Sequence, residues 1–116
     1  KKEPIKLHNH GLNFRDFTFV DDVVKIIHIS IKKNINNKIF NICRSKPIIT
    51  NSLVNMILKS FPGKFIKIIK TEFVKGEMLK THGSNKFLKN NFGRLVFTDI
   101  KVGLNTTINS FKKNAC

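Results

Sequence analysis

Residues 11–24 read Gly-Leu-Asn-Phe-Arg-Asp-Phe-Thr-Phe-Val-Asp-Asp-Val-Val, and they decide how the rest of the chain is interpreted. Arg15 lies in an aromatic and β-branched run that predicts a buried strand over residues 15–20. Asp21 and Asp22 precede apolar residues at helical spacing, so we expect their carboxylates to cap a helix. A guanidinium between a strand and a capped helix is well placed to bind a phosphate or carboxylate. An ordinary salt bridge from Arg15 to Asp16 or Asp21 is the alternative.

The rest of the chain alternates between predicted strands and helices. Further strands are predicted over residues 5–7, 38–43 and 64–70, and helices over residues 22–33, 50–61, 84–91 and 98–112. Residues 11–13 are a predicted turn, and residues 34–37 and 44–47 are a predicted loop and turn. Inward positions on the first helix are Val23, Ile26, Ile27 and Ile31. The expected N-caps of the later helices are Thr50, Asn51 or Ser52, then Ser84, then Thr98.

The composition bounds the function classes. A chain of 116 residues is long enough for one small domain. Its formal charge of +15 comes with 19 Lys, 14 Asn and 16 Ile, a combination that indicates AT-rich codons more than a selected basic surface. The lysines are spread evenly and the phenylalanines fall in apolar runs. A small basic α/β module that binds nucleic acid or another polyanion is therefore the second hypothesis.

Cysteine, histidine and apolar patterns predict neither a metal site nor a membrane segment. Cys43 and Cys116 are far apart and lack a CxxC partner, and the four histidines lack metal-ligand spacing. No apolar run approaches the ~20 residues that span a bilayer, and no signal-peptide pattern is present. We expect reduced thiols and a cytoplasmic location.

The opening stretch resembles the signature of the NAD-dependent epimerase/dehydratase family, the extended short-chain dehydrogenases that act on nucleotide sugars. Three weaker motifs follow in the family's order, and together with the signature they match only the carboxyl-terminal third of such an enzyme. They are Phe40-Asn41-Ile42-Cys43-Arg44-Ser45-Lys46-Pro47, then Lys75-Gly76-Glu77 with Thr81, then Asn91-Phe92-Gly93 with Thr98 and Gly103-Leu104.

The resemblance implies an α/β fold: the C-terminal, substrate-binding portion of a Rossmann-type extended short-chain dehydrogenase, with residues 1–116 as a single partial domain. The sequence has no Gly-x-x-Gly-x-x-Gly turn after its first strand, so the N-terminal dinucleotide-binding domain is expected to be missing. It also has no tyrosine, which excludes the family's catalytic Tyr-x-x-x-Lys pair. A start at Lys1 without an initiator Met suits a piece of a longer protein. We expect no catalytic residue on this chain, with NAD bound by the missing part of a parent enzyme.

The family's binding residues carry over to four positions. Arg15 matches the arginine that contacts the diphosphate or ribose side of the nucleotide sugar, and Glu77 matches the acid that bonds ribose hydroxyls. Lys75 would add a point charge, and Asn41 matches a strand asparagine near the cleft. The expected ligand is a nucleotide sugar, with a UDP-sugar favoured by likeness to the UDP-glucuronate 4-epimerase branch. The parent enzyme would interconvert sugar nucleotides for surface polysaccharide synthesis. It could also form a homodimer.

The missing motifs generate a first prediction. Because the chain has neither the glycine-rich turn nor a tyrosine, the isolated 116-residue polypeptide should neither bind NAD nor epimerise a nucleotide sugar. Calorimetric titration with NAD checks this, and tight, saturable binding would contradict the assignment to a carboxyl-terminal part.

Overall fold

The computed structural model describes residues 3–33, 35 and 37–114. Short strands alternate with helices, which confirms the predicted α/β class. In chain order the elements are β1 (Ile5–Leu7), a 3-10 helix (His8–Gly11), β2 (Phe14–Arg15), α1 (Val20–Lys32), β3 (Ile48–Ile49), α2 (Thr50–Lys59), β4 (Ile68–Lys70), α3 (Lys86–Phe92) and α4 (Ile100–Asn114).

The described residues divide into two compact units. Unit 1 contains residues 3–15 and 47–81, and unit 2 contains residues 16–33, 35, 37–46 and 82–114. In unit 1, β1 pairs in parallel with β4, with Ile5 opposite Ile68. β2 pairs antiparallel with β3, with Phe14 opposite Ile49, and Phe14 also forms an isolated parallel bridge with Lys80. The segment around Phe14 is therefore held by two different stretches of the chain.

A left-handed turn connects the two strand pairs of unit 1. Asn9, His10 and Gly11 all have positive φ, at 46°, 51° and 76°. Such a backbone is strained for residues with a side chain, and a Cβ on Gly11 would lie 2.8 Å from the Leu7 side chain. Backbone bonds from Asn9 N to Glu72 O (3.4 Å) and from His10 N to Thr71 O (3.0 Å) hold the turn in place.

Unit 2 has an apolar core formed mainly by α1 and α3. Ile26, Leu88 and Phe92 are buried at its centre. The Phe40 ring meets the Phe92 ring edge-on, with centroids 5.2 Å apart. Partly buried side chains surround them: Ile29, Ile35, Phe40, Ile42, Leu95 and Phe97.

A carboxylate fixes the chain ahead of α4. Asp22 Oδ2 accepts a hydrogen bond from Thr98 N at 2.7 Å, and Asp22 Oδ1 accepts one from Thr98 Oγ1 at 2.8 Å. Asp99 Oδ1 accepts a hydrogen bond from Lys101 N at 2.9 Å. Asp99 therefore caps the start of α4, where Thr98 was expected to do so.

Three predicted strands differ from the structure. The strand expected over residues 15–20 is only β2, because the chain turns into α1 at Val20. The strand over residues 64–70 is limited to β4. Residues 38–43 form no strand: Phe40 and Ile42 pack on the core, but no described segment offers this stretch a hydrogen-bonding edge.

The predicted helices are present, but several caps and faces were wrong. α1 begins after the extended residue Phe19, so Asp21 and Asp22 lie inside the first turn, where a carboxylate still favours the helix electrostatically. α2 likewise begins after Ile49, with no side-chain cap. Asn85 stands at the N-cap position of α3, where Ser84 was expected. Ile27 and Ile31 were expected to face inward, yet they are exposed.

Several sequence expectations lie outside the described residues: those on Lys1, on Asn34 and Asn36 of the loop, and on Cys116. Over the part of the chain that the structure describes, every helix is too short or too polar to cross a membrane.

The core of unit 2 generates a second prediction. Leu88→Ala removes a side chain that is 1% exposed and should lower the free energy of unfolding by about 2–5 kcal/mol, because it leaves a cavity. Ile31→Ala is the matched control, since it deletes an isomeric side chain that is 73% exposed on a helix of the same unit. Urea unfolding followed by circular dichroism makes the comparison, and equal losses from the two variants would contradict this core.

Candidate functional site

Arg15 ends β2 with most of its donors available. Its Nη1 donates to the carbonyl of Phe14 at 2.8 Å, and it makes no ion pair with any described residue. The alternative of a salt bridge to Asp16 or Asp21 is therefore not what the structure shows. A half-buried guanidinium without a carboxylate partner retains its capacity to bind an anion.

Glu77 closes a tight turn elsewhere in unit 1. Its backbone N donates to the carbonyl of Val74 at 3.0 Å, and Gly76 has a φ of +96°. A positive φ at the third position of a four-residue turn requires a residue without a Cβ. Glycine at this point fixes the turn and sets where the Glu77 side chain leaves it.

The Glu77 carboxylate is held by an asparagine. Asn13 Nδ2 donates to Glu77 Oε2 at 3.3 Å, while Asn13 Oδ1 accepts from Asn9 Nδ2 at 2.6 Å. The Asn13 carbonyl accepts from both Thr50 N (2.9 Å) and Thr50 Oγ1 (2.8 Å). Asn13 is 6% exposed, so its polar atoms need these partners. Glu77 is thus positioned by a buried, satisfied network.

Backbone register relates Arg15 to Glu77. The bond from Thr50 N to Asn13 O continues the β2–β3 register by one residue, so Asn13 and Arg15 are two residues apart in an extended segment. Side chains at positions i and i+2 of such a segment lie on the same face. The Asn13 side chain contacts Glu77 on that face. Unit 1 therefore contains both the Arg15 cation and the Glu77 carboxylate, and Asn13, two residues before Arg15, contacts Glu77.

The other two predicted residues have different positions. Lys75 is exposed in the 74–77 turn, two residues before Glu77. Asn41 belongs to unit 2, where it is exposed in the irregular segment that replaces the predicted strand. The structure thus brings Arg15, Lys75 and Glu77 into one unit, and it places Asn41 in the other.

Sequence reasoning missed Asn13 and the role of Asp16. Asn13 was interpreted only as part of a turn; its spacing of four from Asn9 is the signal that could have indicated a polar pair. Asp16 was considered only as a partner for Arg15. Its Oδ2 instead accepts from Ser45 N at 3.0 Å and its Oδ1 from Lys46 N at 3.3 Å. Among the described residues, no cluster of His, Cys, Asp and Glu could hold a metal ion.

The sequence comparisons give a family and a relative. Residues 1–43 match the NAD dependent epimerase/dehydratase family. The chain is 31% identical over 113 residues to the uncharacterized protein MJ1055 of Methanocaldococcus jannaschii. That alignment covers 95% of this chain but 33% of the relative, so the chain spans about a third of the length of the curated relative it matches.

Solved structures show the same fold. MoeE5 in complex with UDP-glucose and NAD superposes with a TM-score of 0.86 at 22% identity, covering 98% of this chain and 38% of MoeE5. DesIV, a dTDP-glucose 4,6-dehydratase from Streptomyces venezuelae with NAD bound, superposes with a TM-score of 0.82 at 19% identity, covering 96% and 34%. The chain therefore has the fold of about a third of such an enzyme.

The asparagine network generates a third prediction. Asn13→Ala removes the amide that holds Glu77 and leaves Asn9 without its acceptor, so it should lower the free energy of unfolding by about 1–3 kcal/mol. Asn55→Ala, at an exposed position of α2 in the same unit, is the control and should change stability by less than about 0.5 kcal/mol. Thermal unfolding of both variants decides, and a neutral Asn13→Ala would contradict the network.

Proposed function

We propose that this chain, whose residues 1–43 match the NAD-dependent epimerase/dehydratase family, supplies the nucleotide-sugar-binding part of such an enzyme. The observation that carries the proposal is that unit 1 leaves Arg15 without an ion pair and holds Glu77 through buried Asn13. The preferred ligand is a UDP-sugar, in keeping with a UDP-glucuronate 4-epimerase-like member. In this proposal the whole protein interconverts sugar nucleotides for surface polysaccharide synthesis.

The chemistry of the site fits the two polar halves of a nucleotide sugar. The Arg15 guanidinium would bind the diphosphate, since a planar cation with several donors matches phosphate oxygens. The Glu77 carboxylate accepts only, so it would bind ribose hydroxyls, which donate. Lys75 would add a mobile positive charge at the edge of the site. An anionic and a hydroxylic group of one ligand thus find a cation and an acceptor within unit 1.

A second observation supports a role within a longer protein. Val20, Val24, Ile27 and Ile31 form an apolar stripe along α1 at helical spacing, and all four are exposed. A stripe of this kind is normally packed against another element. We propose that the nucleotide-binding part of the whole protein covers it. Supporting this, the chain spans only about a third of its relatives.

We assign NAD to that other part of the protein. The chain has no glycine-rich phosphate turn and no tyrosine, so its own residues do not fit a dinucleotide site. In this division of labour the residues of the chain bind and orient the nucleotide sugar, while the oxidation chemistry of the family takes place elsewhere. Asn41 would support the fold near the cleft, and we assign it no direct contact with the ligand.

The fourth prediction tests Arg15 in the longer protein that contains this chain. Arg15→Lys replaces a multi-donor planar cation by a point charge, so it should weaken UDP-sugar binding by on the order of 1.5–3 kcal/mol, or roughly ten- to a hundredfold. Calorimetric titration measures the affinity. NAD affinity and melting temperature should stay close to those of the parent protein.

Arg94→Lys is the control for this experiment, because it makes the same exchange at an exposed position of unit 2. It should leave UDP-sugar binding unchanged. If Arg15→Lys melts much earlier and binds the UDP-sugar normally once folded, Arg15 is a structural residue and the proposal for it fails.

A further inference from the structure

Arg44 is a half-buried cation with unused donors. Its Nε and Nη1 atoms are shielded from solvent and lack a hydrogen-bond partner within the described part of the chain. Nη2 donates to the carbonyl of Lys46 at 3.4 Å, a long contact. A guanidinium stays charged, and burying an uncompensated charge is unfavourable by several kcal/mol. An anion beside Arg44 would compensate this charge.

The carboxylate next to this turn does not supply that anion. Asp16 already accepts from the backbone amides of Ser45 and Lys46. Arg44 N donates to Thr18 Oγ1 at 3.2 Å, and the Ser45 backbone has a φ of 59°. The turn that carries Arg44 is thus fixed by bonds to its own backbone, and these bonds occupy the nearest acid. A rigid turn of this kind preorganises the guanidinium for a ligand.

Arg44 lines a half-open cavity of about 290 Å³ that lies within unit 2. Lys46 and Lys89 line it as well, and the Lys89 ammonium lies 6.0 Å from the centroid of the Phe97 ring, which forms part of the wall. Asp99 is the acid in the lining, and its Oδ1 is engaged by Lys101 N. Three cations and one carboxylate give the lining a formal charge of +2 (3 − 1).

We propose that this cavity is a second anion site, which binds a small phosphomonoester. The charge of the lining matches a phosphate dianion, and the exposed ammonium groups of Lys46 and Lys89 offer donors for its oxygens beside the Arg44 charge. The volume exceeds what inorganic phosphate alone needs, and Leu95, Val96 and Phe97 supply an apolar wall. A phosphate that carries a small apolar group fills both halves of the cavity.

This site is independent of the proposed nucleotide-sugar site. Arg44, Lys46 and Lys89 all belong to unit 2, whereas Arg15, Lys75 and Glu77 belong to unit 1. Loss of one function by substitution therefore says nothing about the other. The two proposals stand or fall on separate variants.

The test uses phenyl phosphate as a probe on the full 116-residue chain. Titration followed by amide chemical shifts and calorimetry should give saturable binding, with shifts concentrated at residues 44–46, 89 and 95–99. Lys46→Ala and Lys89→Ala change exposed residues and should each weaken binding about three- to tenfold, since each removes one charge-assisted contact. Arg44→Lys should weaken it more than either.

Lys86→Ala is the matched control, because it removes an exposed lysine from the same helix as Lys89 but outside the cavity. Its affinity for phenyl phosphate should stay within about twofold of the parent chain. Inorganic phosphate should bind more weakly than phenyl phosphate, because it leaves the apolar wall unused.

Three results would overturn the proposal. Non-saturable shifts, or equal weakening by Lys86→Ala and Lys89→Ala, would mean diffuse attraction to a chain of formal charge +15. Equal affinity for phenyl phosphate and inorganic phosphate would contradict a phosphomonoester site. An Arg44 variant that fails to fold leaves the decision to the two lysine variants and their control.

Discussion

The side-chain amide of Asn13 is the interaction on which unit 1 depends. One buried residue uses its amide oxygen for Asn9, its amide nitrogen for Glu77 and its backbone carbonyl for Thr50. These partners come from the left-handed turn, the 74–77 turn and the start of α2. Unit 1 has few fully buried apolar side chains among its described residues, with Leu7 the clearest. A polar network that is fully satisfied compensates for this small core by fixing one arrangement of the turns.

Asp16 performs the corresponding task in unit 2 with a carboxylate in place of an amide. It binds the amides of the 44–46 turn, while Ser45 Oγ donates to the Gly83 carbonyl (2.8 Å) and accepts from Asn85 N (3.0 Å). Arg15 and Asp16 are adjacent in the sequence, yet Arg15 makes no ion pair and Asp16 binds the backbone of another segment. The two adjacent residues therefore have separate roles. Arg15 has no carboxylate partner because Asp16, the acid next to it in the sequence, already binds the amides of Ser45 and Lys46.

The sequence predicted those features that depend on local pattern. The helices α1, α2 and α4 needed no knowledge of distant segments, and all three are present. Features that depend on a distant partner were missed. Asp22 was expected to cap its own helix, but Thr98, 76 residues away, offers two donors to its carboxylate. Residues 38–43 are rich in the residue types that favour strands, but a strand also needs an edge to pair with, and composition cannot reveal whether that edge exists.

The same reasoning separates informative charges from uninformative ones in a chain that carries 22 Lys and Arg. Most lysines are exposed, and His10 Nε2 and Glu72 Oε1 form a hydrogen bond of 3.0 Å at the surface. Surface charges of this kind contribute little to stability or specificity. A cation becomes informative when the fold fixes it and withholds a carboxylate from it. Arg15 meets that condition because the carboxylate of Asp16 already accepts hydrogen bonds from backbone amides. Arg44 meets it for the same reason, since those amides belong to the turn that carries Arg44. The hydrogen bonds of Asp16 to backbone amides thus leave both arginines available for ligands. No count of charges in the sequence would have distinguished these two arginines from the other twenty Lys and Arg residues.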